Sequence, residues 1–162
     1  MIAKLSTAVT AVLLSFTPAF ARIESGTGDL LRLVASYGVE VNSSSQLCGN
    51  GVEGMFIHNP PAIHICHNGR PGVQDHDTVR HEVWHFLQSC KTPKGAKALR
   101  PFFDRRAYVA LVDSALTRER QAWILHNYHE RFAATELEAF AAAKNLTAEH
   151  IATYIRQSCS HV

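Results

Sequence analysis

Val79-Arg80-His81-Glu82-Val83-Trp84-His85-Phe86-Leu87-Gln88 is the stretch on which the reading of the whole chain turns. Residues four apart on a helix lie one above the other on the same face. His81 and His85 therefore aim two imidazoles at one point, as a shared metal ion requires. Glu82 is one residue on, near enough to hold a water that such an ion activates. Gln88 follows His85 by three residues, shares the stripe and is placed to bond a ligand or substrate. The flanks suit a helix. Asp75, Asp77 and Thr78 are N-cap candidates, and Val79, Val83, Phe86 and Leu87 recur at helical spacing with Trp84 alongside. One side of this helix belongs in the core and the other at the edge of a cleft.

A catalytic zinc usually takes three protein ligands and leaves one position open. The third is expected downstream, in Thr135-Glu136-Leu137-Glu138-Ala139-Phe140-Ala141-Ala142-Ala143. Two carboxylates stand there in an alanine-rich helix, whose small residues allow close packing on the metal helix. Taken alone, Glu136 and Glu138 read as a solvated helical face, together with Glu130 and Glu149. The two histidines shift that balance toward a ligand.

His81-Glu82-x-x-His85 followed by Glu136-x-Glu138-Ala139 resembles the gluzincin group of zinc metallopeptidases, over roughly Met55 to Ala143. The resemblance implies an α+β fold: a mostly helical, zincin-like domain with a small β-hairpin or edge strand ahead of the metal helix. It implies Zn2+ held by His81, His85 and Glu136, with Glu138 as the alternate, and Glu82 as general base in peptide-bond hydrolysis. The substrate would be a peptide or protein. Candidates to stabilise the oxyanion are His126, Tyr128, His129 and Tyr108. The strand ending at Cys66 is expected to pair with an extended substrate. Two departures stand out. Phe140 occupies the position where many gluzincins carry an Asp or Asn that supports a metal-bound histidine, so that support is expected from Glu138, Asp113 or a backbone carbonyl. The gap from His85 to Glu136 also leaves room for an inserted helix around Tyr108 to Leu116. The alternative is a non-catalytic exported protein, either metal-sequestering or a disulfide-stapled binding module. Glu82 separates the readings, because only catalysis needs it.

Residues 1–21 read as a secretory signal: Lys4, an apolar run from Ala8 to Phe16, and Ala19-Phe20-Ala21 as a cleavage site. The mature chain, from Arg22 to Val162, is expected to be one domain, secreted or periplasmic, with no membrane contact after signal removal. Pro18 and the short run argue against a membrane span. A net charge of +2 without a basic run gives no reason to expect nucleic acid. Oligomeric state is not legible. In an oxidising compartment the four cysteines suggest two disulfides, and three pairings are open. Placement favours Cys48–Cys66 across a hairpin and Cys90–Cys159 between the metal helix and the C-terminal helix.

The remaining chain reads as a helix over Asp29 to Tyr37 ended by Gly38, a brief strand at Val39 to Val41, and strands Met55 to Ile57 and Ala62 to Cys66. His58, His64 and His67 lie close enough in sequence to be weighed as a second metal site, though such histidines more often line a cleft or sheet face. From Asp104 the chain reads as helical almost to its end. Thr117 and Thr147 are N-caps, Asn145 is a stop, and one helix carries Trp123, Leu125 and Phe132.

Overall fold

The computed structural model describes residues 26–42, 49, 52–66 and 76–159. The signal-like residues 1–21, and with them any cleavage after Ala21, lie outside these, as do Asp75, His67 and Cys48 with its expected bond to Cys66. Among the described residues are six helices and a three-stranded sheet, the mostly helical α+β arrangement expected. No helix among them is long and apolar enough to cross a membrane.

Helix α1 (Gly26–Ser36) buries Leu30 and Val34 and ends where Gly38 takes φ 88°, a left-handed turn that glycine enters without steric cost. Strand β1 (Glu40–Asn42) follows, then β2 (Gly54–His58) and β3 (Pro61–Ile65) joined by a tight turn at Asn59-Pro60, whose peptide bond is cis. The order is β1-β3-β2, parallel between β1 and β3 and antiparallel between β2 and β3. Ile63 and Ile65 are buried as expected, but so are Ala62, His64 and Cys66, so the strand is covered on both faces and its burial does not alternate. One expectation fails here. The strand ending at Cys66 is the central one, and its backbone is paired on both sides, so it has no edge to offer a substrate. The edge nearer the metal helix is β2.

Helix α2 (His76–Lys91) carries the central motif, and its apolar stripe (Val79, Val83, Trp84, Leu87) is fully buried. Four helices follow: α3 (Arg105–Ala115), α4 (Arg118–Asn127), α5 (Glu130–Asn145) and α6 (Ala148–Ser158). Asp104, Thr117 and Thr147 cap three of them through side-chain oxygens, satisfying N–H groups that the first turn leaves unpaired. The stretch read as one helix through Trp123, Leu125 and Phe132 is two. It breaks at Tyr128–His129, and Trp123 and Leu125 stay 45% and 55% exposed.

Helices α2 and α5 pack antiparallel. Asp77 at the start of α2 meets Lys144 at the end of α5, at 2.6 Å, and Gln88 near the end of α2 bonds the carbonyl of Thr135 near the start of α5. Ala139, Ala141, Ala142 and Ala143 are buried and keep the axes close. Hydrogen bonds from Lys144 and Arg80 hold Asp77 below the usual carboxylate range although burial opposes them. Cys90 and Cys159 form the expected disulfide, with Cα atoms 5.2 Å apart, fixing α6 to the end of α2.

Candidate metal centre

His81 and His85 lie one turn apart on α2 and face α5, where Glu136 projects between them. The two Nε2 atoms are 3.1 Å apart. Glu136 sets Oε2 at 3.2 Å from the His81 nitrogen and Oε1 at 3.4 Å from that of His85. Donors about 2.0–2.1 Å from one tetrahedral zinc stand roughly 3.3 Å from each other. Each imidazole nitrogen here has the other nitrogen and one of the two carboxylate oxygens at about that distance, and all three residues offer a donor atom within 4.8 Å of the others. All three side chains are largely buried. Among the described residues this is the one group of three or more such donors. His58 and His64 are not in such a group.

Glu138, the alternate ligand, serves another purpose. It is fully buried and turned away from the triad. Its Oε2 accepts from Trp84 Nε1 at 3.0 Å, Gln88 Nε2 at 2.8 Å and the Phe102 backbone N–H at 2.7 Å, and its Oε1 accepts from the Phe103 N–H at 2.9 Å. Four donors compensate for taking a carboxylate out of water. Glu138 thus joins α5, α2 and the segment leading into α3.

Gln88 does not face a ligand or substrate. It lies behind the His85 ring, where His85 Nδ1 and Gln88 Oε1 are 2.8 Å apart, while its amide nitrogen donates to Glu138 and to the Thr135 carbonyl at 3.0 Å. An Nδ1–H donated to Gln88 leaves Nε2 as the atom free to bind an ion. The orienting partner expected from Glu138, Asp113 or a carbonyl is therefore Gln88, with Glu138 one step further back; Asp113 is exposed on α3. His81 Nδ1 has no hydrogen-bond partner among the described residues. Phe140 packs against the His81 ring instead, centroid to centroid 4.5 Å.

Glu82 is 5% exposed and stands beside β2, where the backbone N–H of Phe56 donates to its carboxylate. Burial pushes its carboxyl above the usual range, and Glu136 adds to this against the opposing pull of His81 and His85. That fit explains Gly54. A Cβ there would stand 2.7 Å from Glu82 Cγ and 2.7 Å from Thr78 Cγ2. A glycine inside a strand pattern is the sequence sign of such a close approach.

In the metal-free chain, burial would push the Glu136 carboxyl up, but hydrogen bonds and charge from His81 and His85 hold it at about 2. Burial likewise opposes charge on His85, yet the hydrogen bond and charge of Glu136, with Glu82 and Gln88 behind them, hold its imidazole at about 9.

Two clefts meet the triad. One, about 710 Å³, is lined by Glu53, Gly54, His81, Glu82, Arg120, Trp123, Tyr128 and Phe140 among others. The other, about 300 Å³, is lined by Phe56, His58, His85, Lys97, Phe132 and Glu136 among others. Successive residues of β2 thus line both. Of the four oxyanion candidates, the structure brings Tyr128 to the cleft wall. Burial, with the charges of Glu136 and Glu82, pushes its phenol up to about 12, which keeps the O–H as a donor. His126 is exposed on α4 and lines neither cleft, His129 caps α5 by accepting from the Arg131 N–H, and Tyr108 lines neither cleft.

In comparisons with known proteins, no family model, no curated protein and no solved structure matches the chain.

Proposed function

We propose that this chain is a zinc-dependent peptidase, exported, with a site organised as in gluzincins. The observation that carries the reading is the convergence of His81 Nε2, His85 Nε2 and the Glu136 carboxylate, with the buried Glu82 carboxylate beside them at the cleft. Two imidazoles and a carboxylate suit zinc better than a harder cation. A zinc ion held there acidifies a water and polarises the scissile carbonyl.

The protein's own groups perform the rest. Glu82, whose carboxyl is raised by burial, accepts a proton from the attacking water and passes it to the leaving amine nitrogen. The Tyr128 hydroxyl donates toward the carbonyl oxygen as negative charge develops on it. Edge strand β2 supports an extended peptide across both clefts. The products are a new carboxylate and a new amine, with one water consumed.

The test combines metal content with cleavage of a quenched-fluorophore peptide library. The wild-type chain is expected to hold close to one zinc and to cleave. Glu82→Gln is expected to keep the zinc and lose cleavage by at least about a hundredfold. Zinc retained with cleavage intact in Glu82→Gln would refute the mechanism. Zinc bound by both proteins with no cleavage by either would leave a metal-sequestering role.

A further inference from the structure

We infer that Arg120 is a specificity-determining residue, and that the larger cleft takes peptides carrying a carboxylate one or two residues from the scissile bond. The inference rests on the peptidase reading for its substrate class, but its evidence is separate.

The Arg120 guanidinium lies at the cleft wall, with Cζ 4.3 Å from the Trp123 ring centroid and 4.7 Å from that of Phe140. Two rings fix a planar cation without using its N–H donors. No carboxylate among the described residues is paired with it. The other cleft cation, Lys144, is committed to Asp77 at 2.6 Å. Arg120 is thus pre-positioned and keeps its donors for something that enters. Trp123 is 45% exposed on the same wall and offers an apolar face beside the charge.

Position sets the reach. Phe140 touches both Arg120 and the His81 ring, with its centroid 4.7 Å from the guanidinium carbon and 4.5 Å from the imidazole centroid, so a single ring links the guanidinium to a candidate metal ligand. Extended peptide advances about 3.3–3.6 Å per residue, which brings a carboxylate one or two residues from the reacting carbonyl to that point. A planar fork of donors matches a carboxylate bidentately. The carboxylate could be a free C-terminus or an Asp or Glu side chain, since the recognising chemistry is the same.

Calorimetric titration tests this on the full chain loaded with zinc and carrying Glu82→Gln, which prevents turnover. The probes are N-acetylated Phe-Leu-Ala as free acid and as amide, and amidated Phe-Leu-Asp and Phe-Leu-Asn. The acid is expected to bind roughly tenfold tighter than its amide if the C-terminus is recognised, and the Asp peptide tighter than the Asn peptide if a side chain is. Arg120→Gln is expected to remove the preference and Arg120→Lys to keep part of it, with helix content unchanged by circular dichroism. Equal affinities across each pair, no binding of any peptide, or a preference that survives Arg120→Gln overturns the inference. Incubation of the same peptides with the wild-type chain separates the two claims. Carboxylate-dependent binding, with no cleavage of these peptides or of the peptide library by the zinc-loaded wild-type chain, removes the peptidase reading and leaves the anion site, whereas cleavage without preference does the reverse.

Discussion

Gln88 connects His85 to Glu138, approaching the imidazole Nδ1 with its carbonyl oxygen and giving its amide nitrogen to the carboxylate, each at 2.8 Å. Gln88→Leu roughly keeps the volume and removes both of these bonds together with the one donated to the Thr135 carbonyl. Metal affinity is expected to fall about 10- to 100-fold, the usual effect of losing an orienting partner. Competition with a chromophoric chelator checks this, and an unchanged affinity would show that packing alone orients His85.

Glu136 and Glu138 are two residues apart and are expected to fail differently. Glu136→Ala removes a ligand and should abolish stoichiometric zinc while the chain stays folded. Glu138→Ala strands the donors of Trp84, Gln88, Phe102 and Phe103 in the interior. Its cost is expected to be about 3 kcal/mol or more. Thermal melts beside metal analysis distinguish the pair, and a Glu138→Ala chain as stable as the wild type would contradict this account.

Gly54→Ala places a methyl group against Glu82 and Thr78. Either β2 moves away from α2 or Glu82 turns. A stability loss of roughly 1–3 kcal/mol is expected, together with a loss of any Glu82-dependent hydrolysis. Denaturant unfolding and the peptide assay read these separately.

The pH response of the metal-free chain follows from two opposite shifts. Glu136 is held at about 2 against an ordinary 4.5, so its stabilisation is complete above about 4.5 and is lost as pH falls toward 2. His85 is held at about 9 against 6.5, so its stabilisation is complete below about 6.5 and is lost as pH rises through 9. For these two groups, the stability of the chelated protein is expected to be highest between about 4.5 and 6.5. Zinc must displace the His85 proton, so its affinity is expected to rise with pH up to about 9 and its binding at pH 7 to release a proton. Titrations in buffers of different ionisation enthalpy count that proton.

What the sequence made legible was local. The four-residue spacing of His81 and His85, the caps at Thr117 and Thr147 and the turn at Gly38 each depend on neighbours within one element. Glu136 was readable because the histidines demanded a partner. Glu138 was not, because its backbone donors lie 35 and 36 residues away on Phe103 and Phe102. The central position of β3 was hidden for a similar reason. Its parallel partner β1 precedes it by a long connection, and no residue within Pro61–Ile65 reveals it. Arg120 carries no sequence mark, since its meaning depends on rings from α4 and α5 meeting around it.

The Cys90–Cys159 bond and the ligand triad both grip α2, yet they act on opposite sides of the folding equilibrium. The disulfide spans 69 residues and works mainly by restricting the unfolded chain, an effect of about 2–4 kcal/mol. An ion on the triad works by binding the folded chain, contributing about 2.7 kcal/mol at a hundred times its dissociation constant. Contributions of these two kinds add. Four forms of the protein (oxidised or reduced, loaded or chelated) therefore make a thermodynamic square with equal opposite sides, and where metal is scarce the covalent contribution remains intact.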